Sequence, residues 1–154
     1  MAFGFGVGGC SAPEQRAAEK WSGPTEAEGR LFALVNEQRQ QRNLAPMDWK
    51  DELLPPAREH SGRMAERNYF SHQDPEYGDL SQRLMRFGIR YTAAGENLFV
   101  VSGVADIAEH AVEAWLKSPG HRENILNPAF RSSAVALHRT PNGLVYATQI
   151  FTAP

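Results

Sequence analysis

Apolar residues recur at helical spacing over four segments of the chain, which predicts four amphipathic helices. The first follows Thr25-Glu26-Ala27-Glu28, a sequence that fits a capping box. Prolines are tolerated only in the first turn of a helix, so Pro55 starts the second. The predicted helices run over about 26–42, from Pro55 onward, from the cap Asp79 to Gly88, and from after Ser102 to the stop at Pro119.

The last part of the chain has the alternating pattern of strands. Two alternating runs, 134–140 and 144–151, are joined by Pro141-Asn142-Gly143, which predicts a β-hairpin whose Asn-Gly pair takes positive φ angles. Residues 89–101 mix β-branched and aromatic types and predict a further strand or extended segment. Helices followed by strands, rather than alternating βα units, indicate the α+β class.

Composition narrows the function classes. The chain has 154 residues, a formal net charge of −2 and no basic cluster, which argues against nucleic-acid binding. No apolar run is long enough for a transmembrane span. A single cysteine, Cys10, excludes an intrachain disulfide.

The N-terminal segment differs from the rest of the chain. Residues 1–24 are interpreted as a leader or tether, and residues 25–154 as one domain. Small residues lead directly to Cys10, as at the end of a bacterial lipoprotein signal, so Cys10 is a lipidation candidate. The alternative is a leader with an incidental cysteine.

Three residues are candidates for binding chemistry. His72 and His121 each follow a predicted helix in a Gly/Pro-rich loop, where functional groups are common. Glu96 lies in an apolar extended segment, where a carboxylate needs a partner, and the alternative partner is a nearby arginine. Two imidazoles and a carboxylate would leave one zinc coordination position open. His60, on the buried side of its helix, is interpreted as a structural histidine.

Four motifs together resemble one family. They are His60-Ser61-x-x-Met64-Ala65, Tyr69-Phe70-Ser71-His72, Gly95-Glu96-Asn97 and the block 115–126, WLKSPGHRENIL. The series resembles the bacterial SCP-like branch of the CAP superfamily, which includes cysteine-rich secretory, antigen-five and pathogenesis-related proteins. The resemblance covers about residues 28–152 and implies a three-layer α-β-α sandwich with a central, mostly antiparallel sheet.

The resemblance also implies a cleft with two histidines and two glutamates that binds a divalent metal in several members. The matching positions are His72, Glu96 and His121, and Ser118 stands where the second glutamate usually lies. We therefore expect weak binding of zinc or another divalent cation, with Ser118 and Asn97 lining the cleft.

The expected function is binding, in the extracellular space or the cell envelope, with a lipid anchor at Cys10. The expected ligand is a small apolar or lipid-like molecule or an envelope component, and no catalytic residue is assigned. The alternatives are a peptidase- or esterase-like hydrolase, with Ser71, Ser118 or a metal-activated water as nucleophile, and a purely structural envelope protein.

Overall fold

The structure is a computed structural model that describes residues 23–154. The α-helices in this range are α1 (Glu26–Gln40), α2 (Leu54–Arg67), α3 (Leu80–Arg86), α4 (Ile107–Lys117) and α5 (Pro119–Leu126). The strands are β1 (Asp48–Trp49), β2 (Ala93–Val101), β3 (Ser132–Arg139) and β4 (Val145–Ala153). No helix of residues 23–154 has the length and apolar character that a membrane span requires. The leader and Cys10 lie outside the described residues.

The four strands form one mixed sheet in the order β1-β3-β4-β2. Strands β3 and β4 are antiparallel neighbours, as are β4 and β2, and only the two-residue strand β1 is parallel to its neighbour. The sheet is therefore mostly antiparallel, and the α+β class is confirmed.

Helices cover both faces of the sheet. Alternate residues of β4 contact opposite layers, because successive side chains of a strand point to opposite faces. Phe151 packs in a cluster with Leu31 of α1 and Trp115 of α4, whereas Ile150 packs with Leu54 of α2 and Leu84 of α3. The structure is therefore the predicted three-layer sandwich, with α1, α4 and α5 on one face of the sheet and α2 and α3 on the other.

The fourth predicted helix starts later than expected. Gly103 takes a left-handed φ of 71°, so no helix can run from Ser102. Helix α4 begins instead after Asp106, whose carboxylate accepts a hydrogen bond from the Glu109 backbone N–H.

Pro119 starts a helix as well as following one, which corrects the expectation that it only ends a helix. The extended backbone of Ser118, with ψ of 118°, ends α4, and Pro119 then occupies the first turn of α5. His121, expected in a loop, therefore lies in the first turn of α5.

The hairpin between β3 and β4 is present, but its turn differs from the prediction. Among residues 140–144, only Gly143 has a positive φ, of 88°, whereas a two-residue Asn-Gly turn requires two such residues. Gly143 N donates to Thr140 O, and Thr140 N donates to Leu144 O. The connection is a β-turn that begins at Thr140, with the left-handed Gly143 at its end. The fixed negative φ of Pro141 suits the second position of such a turn.

Candidate functional site

Strand β2 places Glu96 and Asn97 on opposite faces of the sheet. Glu96 is in register with Ile150 and faces the α2–α3 layer, whereas Asn97 is in register with Gln149 and faces α5. Glu96 is 6% exposed and Asn97 is fully buried. A carboxylate buried to this extent requires a charged partner or several hydrogen bonds.

Arg83 of α3 provides that partner. Its Nη1 donates to Glu96 Oε2 at 2.9 Å, its Nη2 donates to Oε1 at 2.8 Å, and Arg83 itself is 1% exposed. Nη2 also donates to the backbone carbonyl of His72 at 3.1 Å. The arginine alternative for Glu96 is therefore correct, in a bidentate pair that fixes the plane of the carboxylate.

His72 completes the set around Glu96. Burial raises the pKa of Glu96, but hydrogen bonds from His72 and Arg83 outweigh it and hold this pKa below its usual value. The ionised carboxylate only accepts hydrogen bonds, so His72 Nδ1, 2.9 Å from Oε1, carries the proton. The neutral form of His72 would therefore present the lone pair of Nε2, and the side chain is 58% exposed.

His121 approaches His72 from the opposite layer. The two ring centroids are 6.2 Å apart. Asn97 Nδ2 donates to the His121 backbone carbonyl at 3.0 Å, and Asn124 of α5 donates to Asn97 Oδ1 at 2.9 Å. Burial lowers the pKa of His121, and repulsion by His72 in its protonated form lowers it further. Asn97 thus links the start of α5 to β2 and fixes where His121 stands.

His60 is structural, as interpreted from the sequence. It is fully buried in α2, and its Nε2 lies 2.9 Å from the carbonyl oxygen of Ser71. Burial lowers the pKa of His60 to about 4, which keeps the ring neutral near pH 7. A neutral Nε2–H donates to that carbonyl and holds the loop that carries His72.

These residues border an open cleft of about 620 Å³. Its walls combine apolar and polar side chains from the loop before α3, from α3, from β2 and from α5. The lining residues are Phe70, Ser71, His72, Gln73, Asp79, Leu80, Glu96, Leu98 and His121. The structure therefore brings His72, Glu96 and His121 together, although Glu96 lies 24 positions after His72 and His121 lies 25 positions after Glu96.

Two other residues expected to line the cleft lie elsewhere. Asn97 is fully buried on the other face of the sheet, which is the consequence of directly following Glu96 in a strand. Ser118 precedes α5, is partly buried and is not part of the cleft wall.

The arrangement of these three residues does not fit a divalent metal ion. Both oxygens of Glu96 already accept hydrogen bonds from the Arg83 guanidinium, and that fixed positive charge repels a dication from the carboxylate. Across residues 23–154, no three histidine, cysteine or acidic side chains are grouped as metal ligands. Weak zinc binding at His72, Glu96 and His121 stays a prediction, and the position of Arg83 argues against it.

Sequence reasoning did not single out Arg83. Its position in the sequence could have indicated it, because Arg83 lies three residues after Leu80 and four before Phe87, on the apolar side of α3. A charged residue within an apolar helix stripe needs a buried partner, but the sequence does not identify that partner.

A second buried acid shapes the loop between α2 and α3. Asp74 is 1% exposed and accepts hydrogen bonds from Arg63, from the Tyr69 hydroxyl and from the backbone N–H groups of Glu76 and Tyr77. Burial raises the pKa of Asp74, but the bonds from Arg63 and Tyr69 hold it far below its usual value. The loop that carries Phe70 and His72 is therefore closed around one ionised carboxylate.

Comparison with known proteins agrees with this fold. Residues 32–151 match the cysteine-rich secretory protein (CAP) family, so the chain belongs to the CAP family. The match contains every residue of the cleft wall.

The relatives are bacterial. The chain is 41% identical over 103 residues to YkwD of Bacillus subtilis, an uncharacterized protein, covering 67% of this chain and 39% of the relative. It is 36% identical over 142 residues to the uncharacterized membrane protein YlbC of the same organism, covering 90% of this chain and 38% of the relative. The chain thus spans about two fifths of the length of these curated relatives.

A solved structure extends the likeness to three dimensions. It is the crystal structure of an extracellular protein containing an SCP domain from Bacillus anthracis, with a TM-score of 0.74 and 31% identity. The alignment covers 86% of this chain and 45% of that chain.

Proposed function

We propose that this CAP domain is an exported binding module whose cleft takes a small amphiphile with an apolar body and a hydrogen-bond donor. The observation that carries the proposal is the pairing, in one open cleft, of the exposed Phe70 ring with the exposed His72 imidazole, whose Nδ1 is bonded to Glu96. A cleft of about 620 Å³ falls within the usual size of small-molecule sites.

The apolar part of the proposed ligand is supported by Phe70. This side chain is 52% exposed at the cleft, beside Leu80 and Leu98. Covering an exposed aromatic ring removes apolar surface from water, which favours binding by about 25 cal/mol per Å² before the entropy of association is subtracted.

The polar part of the proposed ligand is supported by the protonation state of His72. Because Glu96 holds the proton on Nδ1, Nε2 can only accept a hydrogen bond while the ring is neutral. A hydroxyl or an amine N–H on the ligand would satisfy it. An ether or a hydrocarbon of the same size would not.

The hydrolase alternative has less support. A serine nucleophile needs a base within hydrogen-bond reach, but Ser71 Oγ accepts instead from the backbone N–H of Gln73 at 3.0 Å. Within residues 23–154, no serine hydroxyl is hydrogen-bonded to an imidazole. A purely structural envelope role leaves the exposed Phe70 and the oriented His72 without a use.

Export is part of the proposal and is supported by the extracellular B. anthracis relative. A lipid anchor at Cys10 belongs to the same proposal, since multiple acyl chains keep a protein attached to a membrane. Mass spectrometry of Cys10 in protein from the native host tests it, and a soluble protein with unmodified Cys10 refutes the anchor.

The binding test compares octan-1-ol with 1-methoxyoctane, in which a methyl group replaces the hydroxyl hydrogen and so removes the donor. In an NMR titration of the full chain, we expect octan-1-ol to shift cleft amides at lower concentration than the ether. Phe70→Ser should weaken both probes, whereas Phe87→Ser, which alters a 36% exposed phenylalanine outside the cleft wall, should change neither.

His72→Ala should remove the difference between the two probes while leaving residual apolar binding. Equal binding of both probes to the wild type, or shifts confined to residues outside the cleft, contradict the proposal.

A further inference from the structure

We propose that the buried guanidinium of Arg83 is the built-in cation of this cleft, which lets Glu96 orient His72 without a metal ion and suppresses metal uptake there. Arg83 is thus a positioning residue that acts through Glu96. The inference concerns metal binding and the state of His72, and it holds whichever ligand the cleft takes.

The first observation is that Arg83 already saturates the inner side of Glu96. Each carboxylate oxygen accepts one guanidinium N–H, at 2.9 Å and 2.8 Å, and Oε1 also accepts His72 Nδ1–H at 2.9 Å. A carboxylate that ligates a metal must direct an oxygen lone pair at the ion. Here a charged donor lies against each oxygen.

The second observation is that Arg83 binds His72 by two routes. Its Nη2 donates to the His72 backbone carbonyl at 3.1 Å, while the Glu96 carboxylate that it fixes accepts from the His72 ring. The Arg83 guanidinium therefore fixes the main chain of His72 directly and its side chain through Glu96. A planar group with five donors suits this task better than an ammonium.

The third observation is where the charge lies. Arg83 and Glu96 have side chains that are 1% and 3% exposed, so water screens their field little. A dication placed between His72 and Glu96 would meet the guanidinium charge at short range. The imidazoles of His72 and His121 alone would then provide only two ligands, which accounts for weak uptake at most.

Zinc calorimetry at pH 7.5 on tag-free full chain tests this inference. Arg83→Met keeps an unbranched side chain and removes the cation, so it frees Glu96 as a ligand. We expect zinc to bind this variant on the order of tenfold to a hundredfold more tightly than the wild type, the scale of outer-shell changes at metal sites. Arg83→Lys keeps the positive charge, so its zinc affinity should stay near the wild-type value.

The matched control is Arg86→Met. Arg86 lies on the same helix but pairs with Glu59 at the surface, so its loss should not change zinc affinity. Adding His72→Ala to Arg83→Met should abolish the gain. Wild-type zinc binding as tight as that of Arg83→Met, or an equal gain in Arg86→Met, overturns the inference.

Two further measurements test the inference if Arg83→Met is too unstable for calorimetry. Thermal unfolding with and without zinc should show that zinc raises the midpoint of this variant and not that of the wild type. A variant that zinc does not stabilise counts against the inference.

The second measurement needs no variant. In wild-type protein kept in EDTA, the ¹⁵N spectrum of His72 should show a protonated Nδ1 and a bare Nε2. A metal-free His72 with mixed tautomers, or with the proton on Nε2, overturns the inference. Neither this experiment nor the calorimetry depends on the octan-1-ol titration, so a failed titration leaves this inference standing.

Discussion

The Tyr69 hydroxyl donates to Asp74 Oδ2 at 2.6 Å, and this bond closes the loop that carries Phe70 and His72. Arg63 of α2 donates to both oxygens of the same carboxylate. Two buried carboxylates therefore hold the cleft in shape. Asp74 accepts hydrogen bonds from its loop, and Glu96 accepts one from the imidazole of His72. An arginine keeps each carboxylate ionised, so removing either partner of a pair would leave a charge without its counterion.

Asp74→Asn should destabilise the domain by about 2–4 kcal/mol, because it removes the charge that Arg63 requires while both groups stay buried. Urea unfolding followed by tryptophan fluorescence measures the change. Glu76→Gln is the matched control, since the Glu76 side chain is 53% exposed and its substitution should cost no more than about 0.5 kcal/mol. Equal effects of the two substitutions would show that the buried charge is not what closes the loop.

The pH dependence of stability should report His60. Unfolded His60 takes up a proton near its ordinary pKa of 6.5, whereas burial keeps the folded ring neutral down to a pKa of about 4. Between these values the unfolded state binds more protons, so the free energy of unfolding falls as the pH drops. At about 1.4 kcal/mol per pH unit, the loss reaches roughly 3 kcal/mol by pH 4.

His60→Gln should flatten that pH profile between about pH 6.5 and 4, because no group that protonates remains at this buried position. Chemical denaturation at a series of pH values measures the slope. The exposed His110 supplies the control: His110→Gln should keep the wild-type slope. A His60→Gln profile as steep as the wild type would place the proton uptake at another residue.

Gly95→Ala should destabilise the domain by about 1–3 kcal/mol through overpacking. A Cβ at Gly95 would lie 2.8 Å from Asn124 Oδ1 and 3.0 Å from Phe130 Cζ. Gly62→Ala, in the interior of α2, meets nothing closer than 3.6 Å and should stabilise the helix by about 0.5–1 kcal/mol. Thermal or urea unfolding gives both values, and the same sign for both would refute the packing argument.

Ser71→Ala and Ser118→Ala should leave any ester hydrolysis by the chain within about twofold of wild type, because neither hydroxyl is bonded to a base. Hydrolysis of p-nitrophenyl butyrate is a sufficient assay. A loss of about 10³-fold in either variant, the scale of a missing catalytic nucleophile, would favour the hydrolase.

Much of the fold follows from local sequence signals. The capping box at Thr25 forms as predicted, and so does the cap at Asp79. The start of α4 and the turn before β4 were placed wrongly, because the backbone conformations of Gly103 and Gly143 depend on how the neighbouring elements are joined. Pro119 indicates the end of a helix, but the same residue also favours the first turn of a new one.

The site was less predictable from sequence than the fold. Motif resemblance brought His72, Glu96 and His121 together, since residues this far apart in sequence meet only through tertiary packing. Strand alternation would have placed Asn97 away from the cleft once Glu96 was assigned to it. The partner of Glu96 required the structure, because the choice among nearby arginines depends on where α3 packs.

The most direct test of the account is the ¹⁵N resonance of His72 Nε2 during addition of octan-1-ol to metal-free wild type. We expect Nε2 to be unprotonated before addition and its resonance to move toward the position of a hydrogen-bond acceptor as the alcohol binds, with no such movement for 1-methoxyoctane. An Nε2 resonance that octan-1-ol leaves unchanged while cleft amides shift would contradict the claim that His72 recognises the ligand.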